Sequence, residues 1–250
     1  MPSSLTPPPE VVRKGARSVP QLPLPIRLRG GPTFQNFVDG PNAQARHWVE
    51  QMANGAGPEV LYLWGGAGVG KTHLLEATCR AVAEGGDAVG FVPLGQGALV
   101  DPLMLAGLEA TAVVCVDDLH VVAGERAWEE ALFHLFNRMR SAGGRFLLTG
   151  RVPPNGLGVA LPDLASRVAA ALVVRLAPLA DADRAQVLQR RARDLGFTVP
   201  ADVAAYLLRR FPRDLPSLFG LLDRLDEESL AAQRKVTLPL VRALLEAAER

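Results

Sequence analysis

The sequence predicts an α/β fold in which a parallel five-stranded sheet domain is followed by a small all-helical domain. Two observations lead to this prediction. Through the middle of the chain, short apolar runs alternate with segments of helical periodicity, a pattern typical of a parallel sheet covered by helices on both faces. Beyond Pro178 only helical segments follow. With 250 residues, 48% of them hydrophobic, the chain is long enough for one or two domains with a sizeable core.

The individual elements follow from this alternation. The five predicted strands are 60–64, 88–92, 112–116, 145–149 and 172–176. A helix is predicted over 71–84, where Leu75, Cys79 and Val82 recur at helical spacing before a Gly-Gly stop. A second helix is predicted over 128–141. In the helical domain, helices are predicted over 182–195, 201–211, 215–233 and 238–249.

The first 32 residues differ in composition from the rest. They contain eight of the twenty prolines and carry a net charge of +4, which leaves −3 for the other 218 residues. Because proline fixes φ and lacks a backbone donor, we expect an extended tail over 1–32. The sheet domain is then expected over 33–177 and the helical domain over 178–250.

One segment of this tail has the features of a docking peptide. Residues 21–26 read Gln-Leu-Pro-Leu-Pro-Ile, and the two prolines pre-set an extended backbone that loses little entropy on binding. Leu22, Leu24 and Ile26 offer apolar anchors, and Gln21 offers a side-chain amide. The alternative interpretation is a proline-rich linker with incidental leucines.

Composition excludes several classes of protein. A net charge of +1 argues against a nucleic-acid binder that works by bulk charge. Two cysteines exclude a disulfide framework, and the four histidines lack metal-ligand spacing. No apolar run reaches the roughly 18 residues of a membrane span, and the N-terminus does not resemble a secretory signal. We therefore expect a cytoplasmic protein with no membrane partner.

The strongest motif connects the first predicted strand to the first predicted helix. Residues 65–72 fit the pattern G-x-x-x-x-G-K-[ST], called Walker A. In this pattern the loop N–H groups and the helix N-terminus surround phosphates, the lysine reaches the β- and γ-phosphates, and the hydroxyl ligates Mg²⁺. The alternative is a chance glycine-rich turn. The predicted phosphate-binding residues are Gly65, Gly66, Ala67, Gly68, Val69, Gly70, Lys71 and Thr72.

A second motif fits the first. The apolar run 112–116 leads directly into Asp117 and Asp118. Adjacent acids at the end of a buried strand cost desolvation energy, and a bound Mg²⁺ would offset that cost. We expect Asp117 to contact the metal together with Thr72, and Asp118 to position or polarise water. The alternative is an Asx-type turn that closes the strand.

Together with further motifs, these features resemble the AAA+ ATPases of the DnaA group. The resemblance covers about residues 21–250 and is greatest to the Hda family of regulators. It implies a P-loop AAA+ sheet domain followed by a helical lid, with ADP or ATP and Mg²⁺ as cofactors. The segments that carry it, besides the two motifs above, are 33–42 (TFQNFVDGPN), 62–65 (YLWG), 161–167 (LPDLASR) and 212–214 (PRD).

The resemblance also implies roles for two arginines and for the tail motif. Arg167 matches an arginine finger that acts in trans on ATP held by the DnaA initiator, and Arg213 matches the sensor-2 arginine. Residues 21–26 match a motif that binds the DNA polymerase sliding clamp, so DNA would be contacted only indirectly. The family further implies self-association. Without the resemblance, Arg167 reads as a surface arginine and Arg213 as a capping or salt-bridging residue beside Asp214.

Two departures from the family pattern matter. Arg151 occupies the position of an acid in the family's T-G-D-R-P-P segment, which predicts weak intrinsic hydrolysis, unless the loop shifts register by one residue. The chain ends at Arg250, without the helix-turn-helix domain of DnaA itself, so we expect no direct sequence-specific reading of DNA.

Three functions compete at this level. The first is a regulator that docks on the DNA-loaded clamp and stimulates hydrolysis of DnaA-bound ATP. The second is an AAA+ helicase loader or another DnaA-like initiation factor. The third is a binding scaffold in which the nucleotide is structural.

Overall fold

The computed structural model describes residues 31–99, 101–211, 215–232, 239 and 241. Its sheet has five parallel strands in the order β2-β3-β4-β1-β5. The predicted fold class, a parallel five-stranded sheet domain followed by helices, is confirmed. The strands are β1 (Val60–Trp64), β2 (Val89–Pro93), β3 (Val113–Asp117), β4 (Arg145–Gly150) and β5 (Leu172–Arg175).

Seven α-helices lie within the described residues. The helix predicted over 71–84 is confirmed at both ends, and the other predicted helices before residue 233 are confirmed to within two residues. Most of the helix predicted over 238–249 lies outside the described residues. The helices are α1 (Ala43–Ala53), α2 (Lys71–Glu84), α3 (Arg126–Ala142), α4 (Pro162–Ala169), α5 (Asp181–Leu195), α6 (Ala201–Arg210) and α7 (Leu215–Ala232).

Two of these helices were not predicted from the sequence. In α1 the small Ala45 shares the buried face with Val49 and Met52, and the polar residues between them hide the periodicity. Helix α4 has only eight residues and buries only Leu164 and Val168, too few for a periodic signal.

Helices cover both faces of the sheet, as the strand side chains show. In β1, Leu61 and Leu63 pack into the cluster that includes residues of α1 and α2, whereas Tyr62 packs into the cluster that includes residues of α3 and α4. This alternation reflects the two-residue period of a strand. A third cluster, formed by α5, α6 and α7 together with Val241, is the separate core of the helical region.

The segment before α1 connects the sheet to the helical region. The Asn42 side chain is buried; its Nδ2 donates to Ala177 O at 3.0 Å and its Oδ1 accepts from Ala177 N at 2.8 Å. Nearer its start, Asn36 Nδ2 donates to Asp194 Oδ2 at 3.2 Å, and Arg190 donates to Phe37 O at 3.1 Å. These bonds hold α5 beside the residues that precede the first strand.

Two further observations concern the classes of protein that the composition excluded. Cys79 and Cys115 are buried and form no disulfide. Among the residues the structure describes, no helix is long and apolar enough to span a membrane.

Candidate functional site

The loop of residues 65–70 joins the carboxyl end of β1 to the N-terminus of α2. Its glycines are required by close contacts: a Cβ on Gly65 would lie 2.6 Å from Leu176 O, and one on Gly70 would lie 2.8 Å from the Phe37 ring. Gly70 also has a φ of +98°, a conformation that favours glycine. A Cβ on Gly66, in contrast, would meet nothing within 4 Å. The loop is therefore packed on one side and open on the other.

Lys71, the first residue of α2, turns back over this loop. Its Nζ donates to Gly65 O at 2.9 Å and to Gly66 O at 2.8 Å. Burial lowers the pKa of Lys71, an effect opposed by Asp118 and Asp117 and reinforced by Arg151. The ammonium is thus held within the loop with two carboxylates near it, where it can bind an anion that enters from the open side.

Asp117, the last residue of β3, faces two threonine hydroxyls. Thr72 Oγ1 donates to Asp117 Oδ2 at 2.6 Å, and Thr149 Oγ1 donates to Asp117 Oδ1 at 2.5 Å. Burial raises the pKa of Asp117, while the two hydroxyl bonds oppose that rise. The structure therefore joins the two motifs that the sequence placed 45 residues apart.

Asp118 has the unusual backbone of a residue that turns away from the strand. Its φ of +57° is the only positive φ of a non-glycine residue in the described parts of the chain. Asp118 N donates to Thr149 Oγ1 at 2.8 Å, which fixes the turn. Its carboxylate lies 3.6 Å from His120 Nδ1, a buried atom that has no hydrogen-bond partner among the described residues. The two carboxylates thus have different neighbours: Asp117 accepts from two threonine hydroxyls, whereas Asp118 lies beside His120.

Arg151 lies next to the phosphate loop. Gly150 pairs with Trp64 across the sheet, and Gly150 O accepts a hydrogen bond from Gly65 N at 3.2 Å. Beyond Arg151, Val152 O accepts from the buried Tyr62 hydroxyl at 2.7 Å. These two anchors fix the segment on both sides of Arg151. Burial is the main cause of the lowered pKa of Lys71 and of His120, and the positive charge of Arg151 adds to it. The structure therefore places a cation beside the phosphate loop at this point.

The donor set at Thr72 and Asp117 fits a magnesium ion. Mg²⁺ prefers one or two protein oxygens and completes its shell with phosphates and water. The described residues contain no cluster of three or more His, Cys, Asp or Glu side chains that could hold a metal alone. A magnesium ion at this position would thus depend on phosphates for its other ligands.

A cavity of about 380 Å³ extends from the phosphate loop to the helical region. Aromatic rings at its wall include Phe37 and Phe219, and His73 contacts Phe37 with ring centroids 5.4 Å apart. Arg191 stands over the Phe219 ring at 5.7 Å. Charged groups at one end and apolar groups along the wall are the features of a site for a nucleotide, with phosphates at the loop and the base among the rings.

Arg167 lies at the opposite edge of the sheet. It borders a groove that also includes Val60 and Leu172, the first residues of β1 and β5. A five-residue strand spans about 15 Å, so the Arg167 guanidinium is separated from its own phosphate loop by the length of β1. The residues that the sequence singled out therefore form two sites rather than one.

The remaining sequence-predicted site residues are Arg213 and the tail motif of Gln21, Leu22, Leu24 and Ile26. Both lie outside the described residues. Their roles stay predictions.

Three residues at these sites were missed by the sequence reasoning. Thr149 binds both Asp117 and the Asp118 backbone. Asn137 holds Arg167, and Glu129 holds the segment before α4. Only Thr149 could have been found from the sequence. It lies near the carboxyl end of β4, a strand parallel to β3, and therefore at the same edge of the sheet as Asp117.

Two family models match separate parts of the chain. The model for the Hda lid domain matches residues 181–245, and the model for the bacterial DnaA ATPase domain matches residues 28–90. Domain III of the Thermotoga maritima replication initiation protein DnaA has a TM-score of 0.74 and 25% identity to this chain, and the match covers 86% of this chain and 95% of that one. The chain is an AAA+ protein related to Hda and DnaA.

Two more distant structures share the AAA+ fold. AMPPCP-bound DnaA from Aquifex aeolicus has a TM-score of 0.64 and 21% identity, over 78% of this chain and 64% of that one. A RuvB variant from Thermotoga maritima has a TM-score of 0.62 and 17% identity, over 87% of this AAA+ protein and 72% of the RuvB chain.

Proposed function

We propose that this AAA+ protein binds ADP or ATP with Mg²⁺ and uses Arg167 in trans to stimulate hydrolysis of ATP held by the DnaA initiator. The observation that carries the proposal is the separation of Arg167 from the protein's own phosphate loop by the length of β1. An arginine in that position cannot serve the nucleotide of its own chain, but it can reach one bound by a neighbour.

Arg167 has the chemistry that this role requires. During phosphoryl transfer, negative charge spreads over the oxygens of the γ-phosphate, and a planar guanidinium can contact two of them at once. An arginine finger contributes about 10³–10⁵ in rate. Helix α4 and the Asn137 side chain hold the guanidinium in one place, so little reorganisation is needed when the partner arrives.

The protein's own nucleotide would have a different role. Its phosphates would be bound by the N–H groups of residues 65–72 and by Lys71, and Mg²⁺ would be held by Thr72 and Asp117. Because the cavity is walled by both the phosphate loop and α5 and α7, the nucleotide would fix the helical lid relative to the sheet. With Arg151 rather than an acid beside the loop, we expect weak intrinsic hydrolysis.

Docking would depend on the tail. We propose that Gln21, Leu22, Leu24 and Ile26 bind the DNA polymerase sliding clamp in the cytoplasm, so that DNA is reached only through the clamp. The same two-site geometry would also let copies of this protein associate with one another. Inactivating DnaA near replicating DNA would make the protein an inhibitor of replication initiation.

The decisive assay follows hydrolysis of radiolabelled ATP pre-bound to DnaA, with and without clamp loaded on DNA. The proposal predicts that the protein accelerates hydrolysis and that loaded clamp increases the acceleration. A double substitution, Leu22→Ala with Leu24→Ala, should remove the clamp dependence without changing nucleotide binding. Absence of acceleration together with capture of a replicative helicase would favour the helicase-loader function instead.

A further inference from the structure

A second arginine borders the groove beside Arg167. This groove has a volume of about 650 Å³ and lies at the amino edge of the sheet, between α3 and the start of β1. Arg140, on α3, borders it together with Arg167, and Glu59 is the one carboxylate among the lining residues that the structure describes. In open parallel sheets ligands bind at the carboxyl ends of the strands, so this groove is separate from the protein's own nucleotide site.

Arg140 is exposed, and its guanidinium has no hydrogen bond or ion pair with any residue that the structure describes. Two arginines near it in the sequence differ. Arg138 pairs with Glu109 at 3.3 Å. Arg145 donates to Gly55 O at 2.5 Å and to Gly57 O at 3.2 Å. Of these three arginines, Arg140 is therefore the one whose charge remains available to a partner.

The shape and charge of the groove suit the short phosphate chain of a nucleotide better than a strand of nucleic acid. Phe136 and Phe146 form its floor, but both are buried, 4% and 2% exposed, and stacked on each other with centroids 4.0 Å apart. A single-stranded nucleic acid needs exposed rings for its bases and an extended basic track for its backbone. A compact groove with two guanidinium groups at its border complements a short polyanion such as a triphosphate.

We propose that Arg140 and Arg167 together bind the phosphate chain of a nucleotide that a docked neighbouring protein presents to this groove. The inference rests on the proposed function and extends it, because it adds Arg140 as a second residue that binds the phosphates in the ground state, whereas Arg167 both binds them and stabilises the transition state. Arg140 lies one helical turn beyond Asn137, the residue that holds Arg167. Both arginines can thus reach a ligand that enters the same groove.

The first experiment measures hydrolysis of DnaA-bound ATP under single-turnover conditions while the concentration of this protein is varied. Arg140→Ala should raise the half-maximal concentration about tenfold, the effect of losing one charge-assisted hydrogen bond, with the maximal rate almost unchanged. Arg138→Ala is the matched control, because it removes the same charge from the same helix but from a residue already paired with Glu109. It should change neither parameter more than twofold. Equal effects of the two substitutions would overturn the proposal.

A second experiment does not require DnaA. The full chain is saturated with ADP, so that the phosphate loop is occupied, and titrated with inorganic tripolyphosphate by calorimetry. The proposal predicts binding that Arg140→Ala and Arg167→Ala each weaken at least fivefold and that Arg138→Ala leaves within twofold. Binding that ignores Arg140, or no binding, would overturn the proposal even if DnaA stimulation is observed.

The two experiments separate the inference from the function on which it rests. If the wild-type protein does not stimulate DnaA but binds tripolyphosphate through Arg140, the proposed function fails while the phosphate groove is supported. A single-stranded oligonucleotide that binds more tightly than tripolyphosphate and depends on Arg140 would make the groove a nucleic-acid site and contradict the proposal.

Discussion

Arg167 Nη2 donates a hydrogen bond to Asn137 Oδ1 at 2.5 Å. The same guanidinium stands over the Phe133 ring, 5.1 Å from its centroid. Asn137 and Phe133 are one helical turn apart on α3, so this helix supports the Arg167 side chain at two points. Because these contacts already fix the Arg167 side chain, little rotamer entropy is lost when it binds a ligand. Asn137 is therefore a positioning residue for Arg167.

We first predict that Asn137→Ala lowers the stimulation of DnaA-bound ATP hydrolysis about tenfold, because the guanidinium loses the bond that orients it. Asn155→Ala, which removes an exposed asparagine from a short 3₁₀ helix, is the control and should leave the rate unchanged. Single-turnover kinetics at saturating protein separate a loss of orientation from a loss of binding. If Asn137→Ala retains the full maximal rate, Asn137 does not position Arg167.

A second prediction concerns Glu129, a carboxylate buried at 2% exposure. It accepts hydrogen bonds from Gly124 N at 2.7 Å, Ala160 N at 2.9 Å and Leu161 N at 2.7 Å. Glu129→Ala would leave these N–H groups without their acceptor, and we expect it to lower the free energy of unfolding by about 3 kcal/mol.

Urea denaturation of Glu129→Ala measures this loss. Glu130→Ala is the control, because the Glu130 side chain is 47% exposed and forms only a surface pair; its urea midpoint should stay close to that of the wild type. Similar midpoints for the two variants would show that Glu129 does not hold the segment before α4.

A third prediction concerns Asp117: one substitution there should raise the stability of the nucleotide-free protein but weaken its binding of Mg²⁺. Because burial raises the pKa of Asp117, the wild-type protein loses stability as pH rises through that pKa. Asp117→Asn removes the buried charge, so the nucleotide-free variant should melt at a higher temperature at pH 8. The advantage should disappear below the ordinary Asp pKa of 3.8.

The same variant should lose the stabilisation that Mg²⁺ adds to bound nucleotide, because an amide is a poor magnesium ligand. Thermal melting of the wild type and Asp117→Asn, with and without Mg²⁺ and ADP, tests both effects. A variant that is less stable than the wild type at pH 8 without ligand, or that keeps its response to Mg²⁺, contradicts the assignment.

Arg151 leads to a fourth prediction. Because it lies beside the phosphate loop and near Lys71, its charge should favour the nucleotide with the larger negative charge. Arg151→Asp should weaken ATP binding about tenfold more than ADP binding. Fluorescence competition with a labelled nucleotide gives both affinities. Arg126→Asp, at an exposed position on α3, is the control, and a ratio of affinities that changes equally in both variants would exclude a phosphate contact by Arg151.

The sequence was informative where function depends on contiguous residues. The roles of residues 65–72 and Asp117 could be predicted because each motif follows an apolar strand, and the family resemblance drew attention to Arg167. Asn137 and Glu129 could not be assigned, since their roles come from contacts with residues 30 or more positions away along the chain. Helix α4 was missed for a related reason. Its eight residues are held in place by Glu129 and by packing against α3, not by a periodic pattern of its own.

Motif spacing alone does not separate the two sites, but the predicted parallel sheet does. Lys71 comes shortly after β1, whereas Arg167 comes shortly before β5, so the two residues lie at opposite edges of the sheet. That arrangement follows from the parallel pairing of β1 with β4 and β5.

The central claim is that Arg167 acts on a nucleotide bound by another protein. The most direct test is the single-turnover rate of DnaA-bound ATP hydrolysis in the presence of loaded clamp and either wild-type protein or Arg167→Ala. Arg167→Ala should lower the stimulated rate by at least 10³ and leave the ADP affinity unchanged. Arg167→Ala that stimulates as well as the wild type would contradict the central claim.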